Sequence, residues 1–164
     1  MAVVGIPVAR VSATFTRPND TTAYVTGDVV ANSTSAAALM TFAVGVANGN
    51  SGAITRVQVE TNDPANVAQY RLWLYTVSNP THANDNAAFV QQHADAARLV
   101  GTLDIPALSA SGGDAASGQS ALTLPLDYVC DAADVNLYGL LETRSGFTPV
   151  ANRVYTVTLW IRPN

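Results

Sequence analysis

A period-two alternation of apolar and polar residues, broken at short intervals by turn residues, runs through this chain and commits it to strands. In Val11-Ser12-Ala13-Thr14-Phe15-Thr16, the residues Val11, Ala13 and Phe15 fall on one face and the hydroxyls on the other. Arg17-Pro18-Asn19-Asp20 ends that segment, because Pro18 has no N–H to give a ladder and Asn and Asp favour turns. A second strand is expected over 23–31. The stretch 38–46 is apolar on both faces and reads as a central strand. Asn48-Gly49-Asn50-Ser51-Gly52 is the sharpest hairpin signal, since Asn-Gly takes the positive-φ pair of a type I′ turn. Ile54, Val57 and Val59 carry the next strand to Asn62-Asp63-Pro64, and 70–77 is aromatic and β-branched on both faces.

One helix is expected, over 85–98 or as little as one or two turns within it. Asp85 suits its N-cap, Ala87, Ala88, Ala94, Ala96 and Ala97 favour it, and Phe89, Val90 and Leu99 would dock it. The Ser-, Gly- and Ala-rich stretch 107–120 reads as a mobile surface loop. Further strands are expected near 99–105, 121–126, 135–141 and 153–162. Without a βαβ rhythm, the reading is all-β: a two-sheet β-sandwich of jelly-roll or Greek-key type with one short helix.

The 164 residues fit a single domain spanning 1–164, and a chain of this size buries about 70% of its unfolded surface. An apolar fraction of 48% is ample for a core, so the fold has no need of disulfides or a structural metal. Charged residues make up only 12%, against roughly 25% in ordinary domains. Thr, Ser, Asn and Ala take their place. Low charge with high hydrophobicity is the reverse of a disordered composition. The apolar segment 1–9, with Val3, Val4 and Ile6, reads as a first strand or as an arm along a neighbouring subunit; the strand is favoured, because short apolar termini are often tied into a sheet. It has no basic n-region, so it does not read as a signal peptide. The longest apolar stretch, 36–47, falls short of the ~20 residues a spanning helix needs. A soluble chain made in the cytoplasm, with no membrane partner, is expected.

All eight basic residues are Arg, which removes lysine Schiff-base and lysine-base chemistry apart from the α-amino group. Guanidinium groups also suit fixed, bidentate ion pairs at interfaces. A net charge of −4 without any basic run argues against nucleic acid as a partner. Cys130 stands alone and forms no internal disulfide. His82 and His93 lie far from Cys130 and form no zinc-spaced cluster. Asp127, Asp131 and Asp134 are the densest carboxylate group; a calcium-like cation is one use for them, turn and capping roles the favoured one. There is no Gly-x-Ser-x-Gly elbow, and no Gly-rich phosphate loop before a helix. No catalytic, cofactor or metal site is expected, and the chain is not expected to be an enzyme. Trp73 and Trp160 lie in strong strands, where Trp packs a core or anchors an interface; sugar stacking is the sharper alternative.

Phe15-Thr16-Arg17-Pro18, Thr21-Thr22-Ala23-Tyr24 and Gly27-Asp28-Val29-Val30 resemble a group of small tailed-phage virion proteins. The likeness continues through Gly49-Asn50-Ser51-Gly52-Ala53-Ile54, Arg71-Leu72-Trp73-Leu74-Tyr75 and Asp85-Asn86-Ala87-Ala88-Phe89, and beyond about residue 105 only in strand pattern. The resemblance implies a capsid decoration (cement) protein on a phage head, bound as a homotrimer to the major capsid protein. Val3, Val4, Ile6, Arg17, Trp73 and Trp160 are the candidate residues for a subunit or capsid interface. Two other readings compete. A carbohydrate- or receptor-binding module of a fibre or tail needs an exposed aromatic in a groove, and a hydrolase needs a cleft joining His82 or His93 to carboxylates.

Overall fold

A computed structural model describes residues 8–164. Val3, Val4 and Ile6, and with them most of the 1–9 segment, lie outside the described residues. The described residues form ten strands: β1 (Ala9–Thr16), β2 (Val29–Val30), β3 (Met40–Ala43), β4 (Ser51–Thr61), β5 (Tyr70–Tyr75), β6 (Leu99–Ile105), β7 (Ser109–Gly112), β8 (Ala115–Val129), β9 (Asn136–Thr143) and β10 (Val154–Pro163). One 3-10 helix, His93–Arg98, precedes β6. The fold is all-β, with two antiparallel sheets.

The first sheet has the order β1-β10-β4-β8-β7 and the second β2-β9-β5-β6, with β3 also pairing β9. β2 and β3 meet successive stretches of β9, so they act as one interrupted edge strand. The pairing is nested. β1 pairs with β10, β2 and β3 with β9, β4 with β8, and β5 with β6. The chain therefore crosses repeatedly between the sheets, and their inner faces share one core.

The alternation read from sequence sets which face is which. In β10, Tyr155, Val157, Leu159 and Ile161 are buried, while Thr156, Trp160 and Arg162 retain exposure. Opposite them the second sheet contributes Phe42, Tyr70, Leu72, Leu74, Leu137 and Leu141. One end of the core is aromatic. Phe15 stacks on Tyr155, Phe147 on Tyr24, and Tyr70 meets Phe147 and Tyr155 edge-on. Their hydroxyls need partners in this apolar setting, and Asn66 donates to both Tyr70 (2.8 Å) and Tyr155 (2.7 Å).

Four expectations are corrected. Asn48-Gly49 does not close a hairpin, because β3 belongs to the second sheet and β4 to the first. Gly49 (φ +69°) instead turns the chain from one sheet to the other, its N–H donating to the carbonyls of Asp131 and Asp134. The segment 38–46 is no central strand; β3 lies at an edge and alternates, with Met40 and Phe42 buried and Thr41 and Ala43 exposed. Helix over 85–98 shrinks to its last turns. The backbone of 85–89 pairs with 27–33 instead, through Val29 N–H to Ala87, Asn86 N–H to Val29, Asp85 N–H to Ser33 and Phe89 N–H to Gly27. Those tertiary bonds override alanine's weak helical preference. Finally, 107–120 contains β7 and the start of β8, which form a hairpin turning through Gly112 and Gly113, both at positive φ.

Candidate functional site

The two sheets differ in what covers their outer faces. Over the second sheet, Val29, Ala31 and Leu140 make a small buried cluster with Ala37, Leu39, Trp73, Ala83 and Phe89 packed against it. The segments flanking β2 and β3, and the long connection after β5, thus cover the face from which Trp73 projects. Trp73 meets Phe89 edge-on and its indole N–H donates to Glu142 at 2.5 Å. Beside it, Arg71 grips Asp104 with two bonds, Nε to Oδ1 at 2.7 Å and Nη2 to Oδ2 at 3.0 Å. These hydrogen bonds hold the Asp104 carboxyl below its ordinary pKa and the Arg71 guanidinium above its own. Arg144 pairs with Glu142 at 2.9 Å. Every charge in this row is engaged within the chain.

Among the described residues, the first sheet presents its outer face without such a cover. Across β1, β10 and β4 the register stacks Arg10, Trp160 and Arg56 in one row, Ser12, Thr158 and Gln58 in the next, and Thr14, Thr156 and Glu60 in a third. The hydroxyls pair across strands, Ser12 with Thr158 at 2.8 Å and Thr14 with Thr156 at 3.0 Å, each such pair adding about 0.2–1 kcal/mol. Trp160 stands between two guanidinium groups, Arg10 Cζ at 4.9 Å and Arg56 Cζ at 5.3 Å from its ring centre. Cation–π attraction favours this arrangement. It holds a large flat ring and two charges in a fixed array.

Arg17, expected at an interface, belongs to the interior. It is 1% exposed, pairs with Asp85 at 3.0 Å, donates from Nε to the Tyr24 hydroxyl, and reaches the carbonyls of Asp20 and Val150. Asp85 accepts in addition from the Tyr24 hydroxyl (2.6 Å) and the Ala31 N–H (2.8 Å). Burial works against the Arg17 charge, but Tyr24 and Asp85 outweigh it and raise its pKa; burial, with Asp85, drives the Tyr24 hydroxyl far above its normal range. This is a pin through the fold, closed to any partner. Of the six expected interface residues, Trp73 and Trp160 thus lie on opposite sheets, Arg17 inside, and Val3, Val4 and Ile6 outside the described residues.

The residues tested for chemistry are scattered. His93 is exposed at the start of the 3-10 helix, whereas half-buried His82 lines a small apolar cavity, with no carboxylate among the lining residues. Asp134 accepts from the N–H groups of Val135 and Asn136 and from the Tyr138 hydroxyl, bonds that lower its pKa. Asp131 accepts from the Ala133 N–H, and Asp127 lies on β8. Among the described residues no three His, Cys, Asp or Glu gather as metal ligands. Cys130 is buried, which raises its thiol pKa, with Asp134 adding to the effect. No helix among the described residues is long and apolar enough to cross a membrane.

Sequence reasoning passed over Arg10 and Arg56. Each sits on the polar phase of a strand, which is visible in the sequence. Their meeting at Trp160 depends on two strand registers, which are not. No family model matches the chain, and no curated protein matches its sequence.

Proposed function

We propose that this chain is a non-enzymatic capsid decoration (cement) protein, which binds and stabilises a phage head shell as a homotrimer through the outer face of its first sheet. The observation that carries the reading is that face itself. It is open, built of Ser, Thr and Gln rows, and anchored by an Arg-Trp-Arg array. Arg and aromatic residues are the types enriched in protein interfaces, where Lys and Glu are depleted; this chain has no Lys at all. A shell presents many equivalent sites, so weak contacts repeated around a closed trimer add up to firm attachment.

Nested strand pairing supports a jelly-roll reading of the fold. With β2 and β3 counted as one strand and β7 as an extension of β8, the first strand pairs with the last and each later one with its counterpart, the winding of a jelly-roll sandwich. Virion assembly is one of several uses such a sandwich has, so the fold agrees with the role without requiring it.

A glycan-binding module would need an aromatic ring open to a sugar. Trp73 is packed by Phe89, and Trp160 is flanked by two guanidinium groups. The decoration reading is tested by light scattering on the purified chain and by counting copies in the intact particle. It expects a trimer, and copy numbers comparable to the major capsid protein. A monomer present in a handful of copies per particle overturns it.

A further inference from the structure

The eight Arg divide by what holds them. Arg17, Arg71 and Arg144 are in ion pairs, Arg153 donates to the carbonyl of Asn62, and Arg98 ends the 3-10 helix. Among the described residues five Arg are in no ion pair; Arg98 and Arg153 stand apart, whereas Arg10, Arg56 and Arg162 share one patch. Arg10 and Arg56 flank Trp160, and Arg162 lies two residues further along β10 on the same exposed face. Asp127 bounds the patch, in register with Ala53, which faces Arg162; two strand spacings, about 10 Å, separate it from Arg162. A cationic patch on a chain of net charge −4 is an asymmetry with a use.

We propose that Arg10, Arg56 and Arg162, arrayed around Trp160, are the docking point for a carboxylate-bearing segment of a partner protein. The inference rests on the reading of this face as the shell-contact face, and names the chemistry of what it meets. Guanidinium forks bind carboxylates bidentately, as Arg71 binds Asp104 on the other sheet. Trp160 holds two of the forks in place before a partner arrives, which lowers the ordering cost of binding. Single-stranded nucleic acid fits the patch poorly. It requires cations tracking a backbone and a free ring for bases to stack on; here the ring is flanked, and beyond it the rows are uncharged hydroxyls and amides ending at Glu60.

The test follows the two tryptophan indole N–H signals of the full chain by NMR as hexaglutamate is added at low salt, with Trp160→Phe assigning them. The expected result is a saturable shift of the Trp160 signal but not of Trp73, abolished by concentrated sodium chloride. Arg56→Glu should weaken the affinity by about tenfold or more. Arg56→Gln, which removes the charge with less disturbance, carries the test if the reversal fails to fold. The proposal is overturned by an unmoved Trp160 signal, by equal affinity in the Arg56 variants, by inorganic phosphate matching hexaglutamate, or by tighter binding of a thymidine oligonucleotide of equal charge. Binding of the chain to shells stripped of it separates the two readings. Shell binding without a hexaglutamate response refutes carboxylate docking alone, and a hexaglutamate response without shell binding refutes the decoration role alone.

Discussion

Arg17 and Asp85 lie 68 residues apart in sequence and meet as a pair whose side chains are closed to solvent. Removing one partner leaves the other charged, buried and unmatched. Asp85→Ala should therefore lower the unfolding free energy by about 3–5 kcal/mol, measured by urea denaturation. The double change Arg17→Met with Asp85→Leu should recover only part of that loss: an apolar pair avoids the desolvation cost, but the Tyr24 hydroxyl and the Ala31 N–H lose their buried acceptor. Asp104 is the contrast. Its side chain is 66% exposed, so Asp104→Asn should cost less than about 1 kcal/mol despite good geometry. Because its folded pKa is lowered, the Asp104 contribution is present above the usual aspartate range and fades as pH falls through the folded value. Both carboxylates were visible in the sequence, one as an expected helix cap and the other unremarked. Their importance is ranked by burial, which no local pattern reveals.

At the scale of elements, strands with one buried face were legible because burial writes the alternation into them. β1, β4, β6, β9 and β10 fall close to where the pattern put them. β7 was not legible, since all four of its residues are exposed and none carries an apolar face to alternate. Partner choice was equally hidden: the Asn48-Gly49 turn is real, but whether it joins neighbours in one sheet or crosses between sheets depends on strands far along the chain. Gly139 illustrates the same limit inside a correctly placed strand. A Cβ there would lie 2.7 Å from Phe42 Cε2 and 3.1 Å from Leu72 Cδ1, and Phe42 is fully buried. Gly139→Ala should destabilise by about 1–3 kcal/mol through overpacking, read as a lowered thermal midpoint.

For the molecule as a whole, nested pairing means that β1 finds its partner only at the far end of the chain. Such non-local topology should fold slowly, in milliseconds to seconds, and stopped-flow refolding will show whether it does. The tyrosines set the alkaline limit. Burial lifts Tyr24, Tyr70 and Tyr155 above the normal range and Tyr75 and Tyr128 to about 12, and a hydrogen bond to Asp134 raises Tyr138. An unfolded tyrosine titrates near 10. Deprotonation therefore favours the unfolded chain: the tyrosine contribution to stability is complete below about pH 10 and declines as pH climbs toward the folded values. Tyrosinate absorbance should appear together with loss of the β circular dichroism signal. Titration near pH 10 in a chain that keeps its β signal would contradict this.

What the sequence determined by itself is the all-β class and the inward and outward phase of most strands, because apolar burial acts residue by residue with the period of the backbone. The tertiary structure decided which strands meet, which face stays open, and which charges are consumed. Arg10, Trp160 and Arg56 come from three separate strands, and only register brings them into one row. Register is fixed by the packing of both sheets against a common core, a property of the assembled molecule that no single segment carries.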